Sequence, residues 1–386
     1  MLDSGNMGFE IKRSKRLDGE LAVGPSLAMS NFCYSIFRLD PYVGCQHSCT
    51  YCYTRFLPGK RPSTQLAARV DYPRLFRRSI GVLRQKGIRL PPFRMSALTD
   101  PFQPVENRLK LSLELMKVAR NNDVPLIVST KSTLTASSPW LDELKELADE
   151  GLVVVQLSIA FLDETVSRRL EPGAPSPSDR LRVAEVLSAE GIPVVLRFQP
   201  LVPYLNSSEE HIERYVEEAK AVGAKHIIAE ALRISSWKDL EFFSRIIDKN
   251  HFDRLKNRLL WEHYPKSSQK HPNKEWRLRT YTFLSERVFK NGLGFGLCRE
   301  GFYSLNKSPD CCGIYLLRKK VLRWTLYELL YGQRPGYEYL SREEISLIPL
   351  AGLRRKLERH WEIILETASN KKLLRELTDS REDLQT

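Results

Sequence analysis

Six short apolar runs rich in β-branched residues recur between residues 38 and 249, and each is followed by a longer stretch of helical periodicity. The runs are 38–45 (RLDPYVGC), 93–99 (FRMSALT), 125–131 (PLIVSTK), 153–160 (VVVQLSIA), 193–200 (PVVLRFQP) and 224–232 (AKHIIAEAL). The helical stretches are 65–87, 107–121, 138–149, 177–190, 206–221 and 235–249. Runs apolar on both faces predict strands of a parallel sheet covered by helices. Ser137 or Ser138 and Ser176 or Ser178 stand where N-caps belong, and Gly151 and Gly191 where helices end. Six β-α units predict an α/β fold, either an incomplete barrel or a doubly wound sheet. Both gather their chemistry at the C-terminal ends of the strands.

Past residue 250 the alternation stops. Residues 250–275 are rich in Pro, Lys and His and read as a connector, and helical patterns follow at 275–291, 315–331 and 341–367, before a polar tail from Glu376 to Thr386. The expected organisation is an N-terminal extension over 1–30, a core over 31–249 and a smaller, mostly helical, basic domain over 250–386.

The 386 residues are 42% hydrophobic and 28% charged, which excludes fibrous, disordered and disulfide-dense classes. No uninterrupted apolar window reaches the ~18 residues of a membrane span, and no apolar stretch backs the basic N-terminus, so the expected location is cytoplasmic, away from membranes. The net charge of +13 is uneven: residues 1–250 hold 34 basic and 30 acidic side chains, residues 251–386 hold 26 and 17. A basic last third suits a polyanionic partner such as nucleic acid, since phosphate neutralisation supplies most sequence-independent affinity.

Cysteine changes the picture most. Of seven, Cys33, Cys45, Cys49 and Cys52 lie together near the start, and Cys298, Cys311 and Cys312 together near residue 300. Clustered thiols without a secretion signal point to metal or redox chemistry. The segment Cys45-Gln-His-Ser-Cys49-Thr-Tyr-Cys52 directly follows the first strand. Three thiolates at this spacing can hold three corners of a cubane iron–sulfur cluster and leave the fourth iron open to a small chelating ligand. The alternative is zinc, with Cys33 or His47 completing a tetrahedron.

This motif, after the first strand of six β-α units and with an aromatic residue before its last cysteine, resembles the radical S-adenosylmethionine (SAM) superfamily over about residues 31–235. The resemblance implies a partial (β/α)6 TIM-type barrel. It implies a [4Fe–4S] cluster on Cys45, Cys49 and Cys52, and SAM on the open iron, cleaved reductively to methionine and a 5′-deoxyadenosyl radical that abstracts hydrogen. Tyr51 would then pack on the adenine, and an electron donor such as flavodoxin or ferredoxin is implied.

Asp40-Pro41-Tyr42-x-Gly44-Cys45, Thr99-Asp100-Pro101-Phe102-Gln103-Pro104-x-Glu106, Thr130-Lys131-Ser132, Leu170-Glu171-Pro172 and Gln199-Pro200-Leu201-x-Pro203 resemble the spore photoproduct lyase-like branch. Spore photoproduct lyases carry a hydrogen-donating cysteine at the end of the second strand. This chain reads Ser96-Ala97-Leu98-Thr99-Asp100 there and has no thiol, which speaks against thymine-dimer repair while leaving radical generation intact.

Other candidates stand at strand ends. Thr99 and Asp100 can accept hydrogen bonds from the SAM ammonium or cap the next helix. Lys131 can meet a carboxylate or remain a solvated loop lysine. Ser158 and Arg197 are polar residues in apolar runs and need partners, such as ribose, a carboxylate, or for Arg197 an internal pair with Glu230 or Glu171. Tyr42, Tyr53 and Phe56 flank the cysteine loop as packing. Cys298, Cys311 and Cys312 can hold a second iron–sulfur cluster, a zinc with His263 or His271, or simply pack. Nearby Arg318, Lys319, Lys320, Arg323 and Trp324 suit phosphate contact and base stacking, or form a solvated helix face.

The expected function is a radical SAM enzyme acting on nucleic acid. Its rivals are the same chemistry on a protein or small metabolite, and a non-catalytic, zinc-stabilised nucleic-acid-binding protein.

Overall fold

The structure, a computed structural model, describes residues 10–12, 37–56, 66–95, 97–265, 267–325, 328 and 332–372. Cys33, Ser96, most of the 1–30 extension and the tail lie outside the described residues. A small sheet joins β1 (Glu10–Lys12), β4 (Ala67–Arg69) and β3 (Tyr42–Val43). The main sheet begins with β2 (Phe37–Leu39) and continues through β5 (Phe93–Met95), β6 (Leu126–Thr130), β7 (Val153–Ser158), β8 (Val194–Leu201) and β9 (His226–Ala231). All six expected strands are present, and each pairs parallel with the next.

The sheet does not stop at residue 249, where the sequence suggested a boundary. After the hairpin of β10 (Trp261–His263) and β11 (Lys270–Pro272) and a helix over Lys274–Lys290, β12 (Gly294–Leu297) adds a seventh parallel strand beside β9. Its Gly-Phe-Gly-Leu sequence lacks the β-branched run that marks the other strands. Packing crosses the same point. Tyr281, Leu284, Val288, Phe295 and Leu297, with Leu353 and Leu357 of the last helix (Ala351–Ala368), join the hydrophobic cluster of the barrel helices.

Alternation along the strands separates two cores. Val153, Val155 and Leu157 face the helices, as do Val194, Leu196 and Phe198. Ile127, Val154, Val195 and Ile228 face inward and pack on Cys311, Cys312, Ile314, Leu317, Leu322 and Tyr339. The later chain therefore enters the barrel and fills its interior. This corrects the first part of the helix expected over 315–331: residues 315–325 form a short 3-10 turn, Ile314–Leu316, and a strand, Val321–Arg323, paired with Glu338–Leu340, while most of 326–331 lies outside the described residues. Leu317 and Leu322 pack inward rather than on one face of a helix.

Among the caps, Ser176 accepts a hydrogen bond from the Asp179 amide as expected, whereas Pro139 occupies the cap expected of Ser137 or Ser138. Among the described residues no helix is long and apolar enough to cross a membrane.

Candidate active site

The C-terminal ends of the strands surround a cavity of about 450 Å³, within the range of small-molecule sites. Cys45, Cys49, Cys52, Tyr51, Thr99, Asp100, Lys131, Ser158 and Arg197 all line it, and so do Cys298, Cys311 and Cys312. Every residue singled out at the strand ends opens on one space with the six described cysteines.

The cysteine loop is held from below by side chains. Gln46 and Gln103 clasp their two segments together: Gln103 Oε1 accepts from the Gln46 amide at 2.8 Å, and Gln46 Oε1 from the Val105 amide at 2.8 Å. Gln103 Nε2 also donates to the Gly44 carbonyl at 3.2 Å. From the other side Thr50 N donates to the Leu170 carbonyl at 2.8 Å and Gly173 packs under the loop, where a Cβ would lie 2.1 Å from the Gln46 oxygen. Deeper down, Glu106 is fully buried and accepts from Ser112 N at 3.0 Å, Leu113 N at 3.1 Å, Trp140 Nε1 at 2.9 Å and the Tyr42 hydroxyl. These bonds give the Tyr42 and Gln103–Glu106 motifs a physical role, which is to fix the loop.

Asp100 sits at the cavity floor with its carboxylate already engaged. It accepts from Thr130 Oγ1 and Lys131 N, both at 2.7 Å, and from Phe102 N at 2.9 Å, and it pairs with His47 Nε2 at 3.2 Å. Burial opposes its charge, yet His47 and the other donors hold its carboxyl below the ordinary value. His47 is correspondingly raised: burial disfavours the charged ring, but Asp100 outweighs it. His47 also contacts the Gly173 carbonyl through Nδ1 at 2.9 Å. The pair braces the loop from beneath, a role that the motif spacing does not disclose.

Lys131 reaches Glu171 at 3.4 Å. Glu171, almost wholly buried, also takes Arg180 at 2.5 Å and the Tyr51 hydroxyl. Burial pushes its carboxyl up, but Lys131 and Arg180 bring it down to about 2. Tyr51 therefore lines the cavity with its hydroxyl tied back and its ring edge-on to Phe161 at 5.9 Å. Arg197 does not pair with Glu230 or Glu171. It donates to Gln156 Oε1 at 2.7 Å and to Gln199, while Glu230 pairs with Arg233 and Glu171 takes Arg180 instead. Thr99 Oγ1 donates to the Tyr42 carbonyl at 3.3 Å.

Two site residues escaped the sequence reading although a signal existed, and Glu230 entered it only as a possible partner of Arg197. Arg94 and Gln156, like Glu230, are polar residues flanked by apolar ones in strands, an alternation that marks the inward face. Arg233, Arg299 and His360 also line the cavity, and no local pattern announces them. His263 and His271, the alternative zinc partners, lie in the β10–β11 hairpin and do not line it.

The basic group at 318–320 lies at the opposite end of the barrel. Arg318 donates to the Ala148 and Asp149 carbonyls at 2.8 and 2.6 Å, and the Lys319 amide to Gly151, just before β7 begins. Lys319 Nζ pairs with Asp123 at 3.2 Å, and Lys320 turns back to the Leu317 and Tyr315 carbonyls. Phosphate contact at the cavity mouth is therefore not their role: they close the N-terminal ends of strands and cap a helix C-terminus.

The family model of the radical SAM superfamily matches residues 39–219 of the chain. An uncharacterized protein of Mycobacterium tuberculosis is 28% identical over 217 residues, covering 54% of this chain and 62% of that protein. One of Methanocaldococcus jannaschii is 26% identical over 174 residues, covering 44% and 61%. The chain thus spans about three fifths of the length of the curated relatives it matches. Among solved structures, spore photoproduct lyase complexed with dinucleoside spore photoproduct superposes with a TM-score of 0.52 at 14% identity, over 70% of this chain and 79% of that one. At such identity the likeness is one of fold, a mostly parallel sheet with helices.

The three thiols of the loop fit an iron–sulfur cluster by their donor chemistry. Burial, with Asp100 behind it, pushes the Cys45 thiol up to about 12, and burial likewise raises Cys49. Thiols so placed ionise when a cationic centre supplies the compensating charge.

Proposed function

We propose that the chain is a radical SAM enzyme that acts on nucleic acid. The observation that carries the reading is the opening of Cys45, Cys49 and Cys52 on the same cavity as the strand-end residues Thr99, Lys131, Ser158 and Arg197. The three thiolates would hold a [4Fe–4S] cluster. When bound, that cluster supplies one electron to SAM, whose cleavage yields a carbon radical able to abstract hydrogen. Tyr51 presents a ring edge-bonded to Phe161 for the adenine, and Lys131 an ammonium for a carboxylate. Asp100, its oxygens occupied, serves by holding His47 and the β6 end in place rather than by reaching for the SAM ammonium. Electrons come from a small reductase-linked carrier such as flavodoxin or ferredoxin. The cofactor set includes a metal centre, iron–sulfur or zinc, at the second cysteine group.

Nucleic acid as substrate is supported by the basic composition and by Arg233 and Arg299 on the cavity wall, and by the dinucleoside bound to the spore photoproduct lyase of similar fold. Chemistry on a base requires it to leave the stack and enter a closed pocket, which suits a cavity of this size. The test is anaerobic: reconstituted protein with a reductant should release 5′-deoxyadenosine from SAM, and Cys45→Ala should abolish it. Binding to DNA or RNA should weaken with salt, log K falling by about 0.7–0.9 per phosphate neutralised. A salt-independent affinity moves the substrate to the protein or small-metabolite class.

A further inference from the structure

Cys298, Cys311 and Cys312 come from two segments and meet inside the barrel. Cys298 follows β12, in register with the inward positions Gly294 and Gly296, and Cys311 and Cys312 belong to the segment that fills the interior. The Sγ atoms of Cys311 and Cys312 are 3.7 Å apart, and Cys298 packs against the cluster that holds them.

This convergence is held in place. A Cβ at residue 296 would lie 2.5 Å from the Cα of Cys311, so the strand admits Cys311 only because it carries glycine there. Asp310 closes the turn, accepting from the amides of Cys312 at 2.8 Å and of Ile314 and Tyr315 at 2.9 Å. Gln156 Nε2 donates to the Cys312 carbonyl at 2.6 Å.

Both signs of charge stand near the sulfurs, the Asp310 and Glu230 carboxylates beside two guanidiniums. Arg94 Nη2 donates to Cys312 Sγ at 3.2 Å, and Arg197 lines the same cavity with the neutral amides of Gln156 and Gln199 on its guanidinium. Guanidiniums beside sulfur favour the thiolate, the form that ligates metal. His360, 4% exposed, also opens on this cavity, and its Nε2 has no hydrogen-bond partner among the described residues.

A thiol S–H surrenders its hydrogen to a carbon radical far more readily than a C–H bond does. Free thiols on the wall of a cavity where such a radical forms would compete with the substrate, whereas metal-bound thiolates carry no such hydrogen. An all-thiolate set of three, like that of the Cys45 loop, suits an iron–sulfur centre.

We propose that Cys298, Cys311 and Cys312 hold a second iron–sulfur cluster in the cavity that the Cys45 loop opens on. The radical argument rests on the proposed function; the ligand set stands on geometry, and the test separates the two.

The experiment is iron, sulfide and zinc analysis with low-temperature EPR after anaerobic reconstitution with iron and sulfide. It compares wild type, the Cys45→Ala/Cys49→Ala/Cys52→Ala variant and the Cys298→Ala/Cys311→Ala/Cys312→Ala variant, each checked for native secondary structure. The first variant should retain iron, sulfide and a reduced-cluster signal, the second should lose that share and keep the other, and wild type should carry the sum. Because the interior triple variant risks misfolding, the single Cys298→Ala, on the partly exposed thiol, supplies a second reading and should shift the EPR signal retained by the first variant. The assignment is overturned if the first variant holds no iron, if it holds zinc in place of iron and sulfide, or if Cys298→Ala leaves its signal unchanged. Failure of the radical SAM reading looks different: the second variant would then carry no cluster, whatever the first retains.

Discussion

The two cysteine groups share one cavity but are built in opposite ways. Cys45, Cys49 and Cys52 are neighbours in the chain, and short turns bring them together, the Cys52 amide donating to the Cys49 carbonyl at 3.2 Å. Their surroundings, the Gln46–Gln103 clasp and the His47–Asp100 pair, are tertiary supports for a locally determined motif. Cys298, Cys311 and Cys312 are the reverse. Their convergence depends on β12 joining the sheet and on the following segment entering the barrel. A site written in local spacing tolerates change elsewhere better than one assembled from the fold.

The sharpest way to break this comparison is at the loop itself. Cys45→Ala, Cys49→Ala and Cys52→Ala should each reduce SAM cleavage to background, measured as 5′-deoxyadenosine formed anaerobically, because each removes one of three cluster ligands. Retained cleavage in any one of them would remove that cysteine from the ligand set.

Glu106→Ala tests whether the loop depends on its buried support. It strands three N–H donors and the Tyr42 hydroxyl, at a cost on the order of 4 kcal/mol or more, since each orphaned buried donor costs about 1–3 kcal/mol. Urea denaturation should show a large drop in the midpoint, and a loss under 1 kcal/mol would show that the hub is dispensable.

The His47–Asp100 pair gives a pH signature. Asp100, lowered from 3.8, contributes stability above that value that is lost as pH falls through its folded pKa. His47, raised from 6.5, contributes stability below 6.5 that is lost as pH rises through its folded pKa. Wild type should therefore exceed Asp100→Asn most between about pH 4 and 6.5, by about 3 kcal/mol for a broken buried pair. The gap should narrow above pH 6.5. A gap that is constant from pH 5 to 9 would mean that His47 does not titrate against Asp100.

Gly296→Ala sharpens the contrast from the other side. Pushing Cys311 away should cost about 1–3 kcal/mol of stability, as overpacking does, and disturb the second group alone. Iron content at the first loop should stay at the wild-type level. The smallest effect is expected from Arg318→Glu with Lys319→Glu: at the far end of the barrel, the pair should leave the salt dependence of nucleic-acid binding within error of wild type. A flattened slope would return the polyanion contact to this face.

What the sequence determined by itself was whatever chemistry is encoded within a few residues. The six strands and five of the six helical stretches are legible because strand and helix leave different periods, whereas 235–249 folds as a 3-10 segment, Trp237–Phe243, and turns; the Cys45 loop is legible because metal-ligand spacing is local. The strand-end residues Thr99, Asp100, Lys131, Ser158 and Arg197 line one cavity, since a parallel sheet with covering helices fixes where its strands end. Tertiary structure decided the rest. β12 is short and glycine-rich, so only pairing with β9 makes it a strand, and the helical pattern from residue 315 yields over 315–325 to packing in the barrel interior. Partner choice was likewise hidden: Arg180 rather than Arg197 meets Glu171, and Arg318 caps a helix far from the cavity. The physical reason is common to all of these. Which charges pair and which thiols meet depends on contacts between residues distant in the chain, and local pattern carries no record of them.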